Sequence, residues 1–377
     1  MSTMVTRREF TKTLGGVAAL ATLSPVLGLA TDEPKVSAEA AKLYRDSFVL
    51  DGNALASIGN LLRADNSAEV AKVIRESGVT ALKATLGGAV GDFATTVADI
   101  ASAEQLMEKR SDLFLKVRTH ADFDRARKEQ KLGVIYSFES AAMLEDKVER
   151  IDLFRQLGVR VMQLTYNRRT PFGVGCLDGE TDGLTELGRT AIAKMNEIGV
   201  ALDLSHSNTK TTAEGITAST KPPLITHAGC RAVFMHPRNK EDAELKALAD
   251  KGGVVGIYML PYLTASPKQP MLDDYLQHLE HALKVCGEDH VGVGSDVPFF
   301  QVDDSDLAEM KKSAEKRKAD GIAAPGEDRP TYIPDLNTPR KMELIANALL
   351  KRGHKNAAVE KILGNNFKRV LGEIWTA

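Results

Sequence analysis

Eight short apolar runs recur along the chain, at residues 48–51, 80–85, 133–138, 159–165, 200–204, 223–226, 254–258 and 290–294. Many are continuous rather than alternating, the pattern of strands covered on both faces. Stretches at 147–157, 186–198 and 241–251 lie between them and carry apolar residues at helical spacing. Alternation of strand and helix eight times over predicts a (β/α)8 barrel, an α/β fold with parallel strands. An open doubly wound sheet competes, but no Gly-x-Gly-x-x-Gly follows the first run. A further short run at 114–118 reads as an excursion from the ring. The rhythm breaks after Phe299, where Lys, Asp and Glu dominate through Asp320 and turn residues run from Pro325 to Pro339. This reads as an insertion at 300–338, solvated rather than a lid or a dimer arm. Residues 359–374 read as a closing helical region broken at Gly364-Asn365-Asn366, with the one tryptophan, Trp375, just beyond.

The first thirty residues follow another logic. Thr6-Arg7-Arg8-Glu9-Phe10-Thr11-Lys12 precedes an apolar run, 14–29, that ends in Gly28-Leu29-Ala30. The run is short and rich in Gly, Ala, Thr and Ser, a poor membrane span. The pattern resembles a twin-arginine export signal with a small-x-small cleavage site. The expected division is therefore a signal at 1–30 and a single barrel domain at 31–377. The expected partner is the twin-arginine export machinery, and the expected location is periplasmic or otherwise exported. Of 377 residues, 49 are Lys or Arg and 51 Asp or Glu, a net charge of −2 that speaks against nucleic acid as the main partner. Cys176, Cys230 and Cys286 form no disulfide framework, and no pair has zinc-finger spacing. A homodimer is the default oligomer only because it is the commonest.

Chemistry in a barrel gathers at the C-terminal ends of the strands. Glu139, His206, His227 and Asp296 each fall at such an end. One of them alone would read as a core histidine or a helix cap. Four on four strands read as a metal set, a carboxylate and two imidazoles suited to zinc. An ion in such a set makes water nucleophilic at neutral pH.

The segments around these residues resemble the membrane dipeptidase family, also called renal dipeptidase or peptidase M19. The resemblance runs through Asp203-Leu204-Ser205-His206-Ser207, Thr226-His227 and His236-Pro237-Arg238-Asn239. It continues through Val291-Gly292-Val293-Gly294-Ser295-Asp296 and Gly364-Asn365-Asn366-Phe367. It implies an amidohydrolase-like barrel that cleaves dipeptides. It also implies that Glu139 bridges two zinc ions, that His206 and His227 bind the second, that Arg238 grips the substrate carboxylate, and that Asp296 stands beside the bridging water.

The first strand departs from the family. There the pattern Asp-Gly-His-x-Asp supplies two ligands of the first zinc, whereas this chain reads Asp51-Gly52-Asn53-Ala54-Leu55. Asn53 and Leu55 are poor or impossible ligands. A family histidine in the substrate pocket falls on Tyr166, which can still donate to an oxyanion. Two outcomes follow: a hydrolase of small peptide-like substrates with one zinc where the family has two, or a non-hydrolytic periplasmic binding or maturation protein. Several neighbours get structural readings. His236 reads as loop structure, Arg168 and Arg169 as a solvated loop, and Lys83 as a barrel-interior lysine that is not a metal bridge. Asp203 reads either as a partner orienting a ligand or as a buried strand polar group.

Overall fold

The computed structural model describes residues 35–54, 67–88 and 91–375. Nine strands form one parallel sheet: β1 (Leu50–Ala54), β2 (Ala81–Thr85), β3 (Phe114–Lys116), β4 (Leu132–Phe138), β5 (Val159–Gln163), β6 (Ala201–Asp203), β7 (Leu224–Ala228), β8 (Val254–Ile257) and β9 (Val291–Val293). Eight follow the ring order β1-β2-β4-β5-β6-β7-β8-β9, while β3 pairs only with the start of β4, Phe114 opposite Leu132 and Lys116 opposite Val134. The 114–118 run is thus the excursion its position implies. The expected (β/α)8 barrel is the observed fold.

The continuous apolar runs have a direct cause. Along β4, Val134, Tyr136 and Phe138 pack outward with Phe154, Met162 and Ile192 under the helices. Ile135 points the other way and joins Val161, Ala201, Leu224 and Val254 inside the barrel. Both faces of the strand are dry, so both need apolar side chains. Helices fill the gaps with ordinary signals. The helix Glu186–Ile198 starts on Thr185, whose side chain accepts from the Gly188 N–H, and stops at Gly199 with φ +69°. All three cysteines are free and buried.

The barrel floor is closed from below by the helix Asn366–Ile374, which follows the break at Gly364. Asn366 donates to the carbonyls of Glu288 and Val291, both 2.8 Å away. Phe367 then enters the barrel between β1 and β9. A Cβ at Gly52 or Gly292 would stand 2.6 Å from its ring, so both strands need glycine there. Emptying that space with Phe367→Ala costs about 3–5 kcal/mol. Trp375 stacks on Phe123 beside it, at 5.6 Å. Above the plug, Asp51 sews β1 to the chain after β9, accepting from the Ser295 N–H (2.8 Å) and hydroxyl (2.5 Å).

The 300–338 insertion differs from expectation. Its helix Asp304–Ala319 buries no residue, yet the segment is not a free solvated loop. Asn167 reaches the Ile322 carbonyl (2.8 Å), His236 the Pro325 carbonyl (2.8 Å), and Tyr262 the Glu327 carboxylate (2.6 Å). Arg329 donates to the carbonyls of Pro261 (2.6 Å) and Thr264 (3.1 Å). The segment is a cover strapped over the barrel mouth. Its polarity misled because its inner face meets a cavity rather than the core.

Candidate metal centre and active site

A cavity of about 1110 Å³ opens at the C-terminal ends of the strands. Glu139, Tyr166, His206, Arg238 and Asp296 line its barrel side, and Leu307, Met310 and Arg317 of the cover line the other. His227 and Asn53 lie in the wall, both fully buried. The structure therefore brings together the residues the strand ends suggested. Leu55 and the 1–30 segment lie outside the described residues.

One wall is carboxylate and amide. The Asn53 Nδ2 group donates to Glu139 Oε1 (3.0 Å) and to Asp296 Oδ1 (2.8 Å). Thr85 adds a second donor to Glu139 Oε1 at 2.9 Å. Among the described residues, the other oxygen of each carboxylate receives no donor. Asp296 sits at φ +54°, a left-handed conformation costing on the order of 1 kcal/mol, with its N–H bonded to the Asn53 carbonyl at 2.7 Å. Burial, and then the charge of Glu139, push its carboxyl well above the usual range.

The opposite wall is imidazole. His206 Nε2 and His227 Nε2 lie 2.9 Å apart. Thr226 spends its proton on Asp203 Oδ2 (2.5 Å), so its oxygen accepts from His227 Nδ1 (2.9 Å) and the His227 Nε2 is left as a lone pair. Arg238 can only donate, and its Nη2 lies 3.1 Å from His206 Nε2, so that nitrogen is a lone pair too. Burial, then Arg238, hold both imidazoles well below their ordinary pKa. Two lone pairs thus face each other, that of His206 met by Arg238, with protonation disfavoured, an arrangement that fits a divalent cation. Glu139, His227 and Asp296 have donor atoms within 4.8 Å of one another. His206 stands outside that trio, against His227 and Arg238.

The remaining candidates fall into place. Asp203 orients His227 through Thr226, and it also takes the Ser205 hydroxyl (2.5 Å) and Gln163 amide (3.1 Å). Lys83 lies in the barrel interior, 3.2 Å from the Ser137 hydroxyl and 4.0 Å from Asp203. His236 stacks on Tyr262 at 4.4 Å and serves the cover. Arg168 and Arg169 pair with Asp178 and Asp182 at the surface. Sequence reasoning missed Asn167, Thr85 and Arg317. Asn167 stands beside Tyr166, and nothing in the spacing points to its partner.

A parallel barrel with carboxylates and imidazoles converging at one mouth defines a metal-dependent hydrolase of the amidohydrolase type. The chain belongs to the membrane dipeptidase family, peptidase family M19, whose sequence profile matches residues 60–314. It is 28% identical over 265 residues to a protein of the pqqA 5' region of Klebsiella pneumoniae, over 68% of this chain and 87% of that one. It is 27% identical over 278 residues to dipeptidase tcpJ of Claviceps purpurea, over 72% of this chain and 58% of the relative. A solved amidohydrolase from Pseudomonas aeruginosa is 34% identical, with TM-score 0.77 over 90% of this chain and 99% of that one.

Proposed function

We propose that this protein is an exported dipeptidase that works with one zinc ion, cleaving the peptide bond of small L,L or L,D dipeptides. The observation that carries the reading is the Asn53 amide, which spans the two carboxylates opposite a pair of facing imidazole lone pairs. Charge supports one ion over two. Two carboxylates share the mouth with the buried Arg238 guanidinium, so one divalent ion already leaves a net positive site. Asn53 is neutral, and its N–H groups occupy one oxygen of each carboxylate.

His206, His227 and Glu139 hold the ion in this reading, and when bound it makes a water nucleophilic near neutral pH and polarises the carbonyl. Arg238 donates one N–H to the Ser205 carbonyl (2.5 Å) and, in the ion-free arrangement, one to His206 Nε2, a bond that an ion held by His206 would displace. Its remaining N–H groups take the substrate's terminal carboxylate. Tyr166 lines the same cavity and donates its phenol proton to the carbonyl oxygen as charge develops. Burial raises its pKa, so the phenol keeps that proton at working pH. Asp296 accepts the proton of the attacking water and passes it to the leaving amine.

The test is elemental analysis of the mature protein together with a panel of L,L and L,D dipeptides. One zinc per chain and turnover support the reading. The same Asn53 contacts favour a second reading, a barrel that binds a peptide-like ligand without cleaving it. Ligand binding without turnover in the zinc-saturated protein would establish that one. Export rests on the twin-arginine pattern of residues 1–30, and replacing Arg7 and Arg8 by Lys should leave the chain in the cytoplasmic fraction.

A further inference from the structure

Asn167 is fully buried between the cover and the imidazole wall. Its Nδ2 donates to the Ile322 carbonyl at 2.8 Å. A carbonyl can only accept, so the amide has one permitted orientation, nitrogen toward the cover and oxygen toward His206. That oxygen lies 2.7 Å from His206 Nδ1 and therefore accepts the Nδ1 proton. The Cys176 thiol donates to the same oxygen at 3.4 Å. The His206 lone pair is thereby placed on Nε2, the conclusion reached independently from Arg238.

A second path ends on the same ring. Arg317, in the cover helix Asp304–Ala319, is bonded twice to Glu327, at 2.7 and 2.8 Å. Its guanidinium lies 5.2 Å from the centre of the Tyr166 ring. Tyr166 in turn stacks on His206, ring centres 4.1 Å apart and planes 24° from parallel. Asn167 fixes the imidazole in its plane, and Tyr166 holds its face. Both supports lead back to the cover.

We propose that the 304–338 cover is part of the cation site's supporting structure, with Asn167 and Arg317 as the positioning residues that transmit its docking to His206. The proposal rests on the metal reading above. Binding free energies are reciprocal, so a loosened cover weakens the cation and a bound cation tightens the cover.

The test uses the full mature chain labelled with ¹⁵N-histidine. Long-range ¹H–¹⁵N spectra of the metal-free protein read the His206 tautomer, and zinc competition against a chromophoric chelator reads affinity. The wild type should show a single Nδ1–H tautomer at His206. Asn167→Leu should mix the tautomers and lower zinc affinity by about 10–100-fold. Asn167→Asp keeps an acceptor on His206 but loses the bond to the Ile322 carbonyl, so it should keep the tautomer while affinity falls less than in Asn167→Leu. Arg317→Met leaves Asn167 untouched; it should lower affinity several-fold and speed proteolytic cleavage within 304–338, which zinc should slow in the wild type. A pure Nδ1–H tautomer with wild-type affinity in Asn167→Leu would overturn the proposal. So would unchanged affinity and cleavage in Arg317→Met, which decides the matter if Asn167→Leu does not fold. A wild type that takes no zinc would sink the metal reading instead, while tautomer mixing in Asn167→Leu would still show that Asn167 positions His206.

Discussion

The two walls of the site solve opposite electrostatic problems. On the β1, β4 and β9 side, a neutral amide links two carboxylates, with Asn53 donating to one oxygen each of Glu139 and Asp296. On the β6 and β7 side, His206 and His227 bring two lone pairs to 2.9 Å with only Arg238 donating to one of them. The first wall ties its two anions together through one amide but leaves the buried Asn53 Oδ1 and the second oxygen of each carboxylate without a partner among the described residues; the second wall presents two lone pairs to each other. On the proposed reading, the cation is tied chiefly to the imidazole wall, while on the carboxylate wall a neutral amide links the two anions.

The sharpest way to break this contrast is His227→Ala. It should remove more than about a hundredfold in zinc affinity, beyond the loss typical of supporting residues, and dipeptide hydrolysis should vanish with it in a zinc-titrated assay. The complementary change is Asn53→Leu, which strips one charge-assisted hydrogen bond from each carboxylate. Urea unfolding of the metal-free protein should show a loss of about 3–6 kcal/mol, whereas His227→Ala should not destabilise the metal-free chain to that degree.

A third prediction concerns acid. Burial lowers the His236 pKa to about 4 from the ordinary 6.5, outweighing the bond to the Pro325 carbonyl, which acts the other way. Between those values the unfolded chain holds more protons than the folded one, so stability falls as pH drops from 6.5 toward about 4. The loss is about 3 kcal/mol, and His236→Gln should flatten the urea midpoint over that window. The smallest effect is expected for Thr226→Val, which removes the hydroxyl that accepts from His227 Nδ1. Zinc affinity should fall about tenfold, with no comparable change for Thr85→Val on the carboxylate wall.

Much of this was legible before the structure. Both faces of β4 are dry, so its apolar run is unbroken and easy to read. Glu139, His206, His227 and Asp296 stand at strand ends, where a barrel collects them. The cover was harder. Leu307, Met310, Ala314 and Arg317 are spaced along one helical face, but they meet a cavity and stay half exposed, so the stripe is faint. Asn167 was invisible for another reason: its partner His206 lies 39 residues away, and no local pattern connects an amide to a ring across that distance.

The Phe367 plug bears on the order of assembly. It follows every strand among the described residues yet fills the gap between the first and the last of them. A nascent polypeptide still lacking that helix has an open seam and an unfilled apolar core, so the mouth residues gain a rigid frame only near the end of synthesis. Shortened chains ending before 366 should accordingly behave as aggregation-prone intermediates rather than as smaller enzymes.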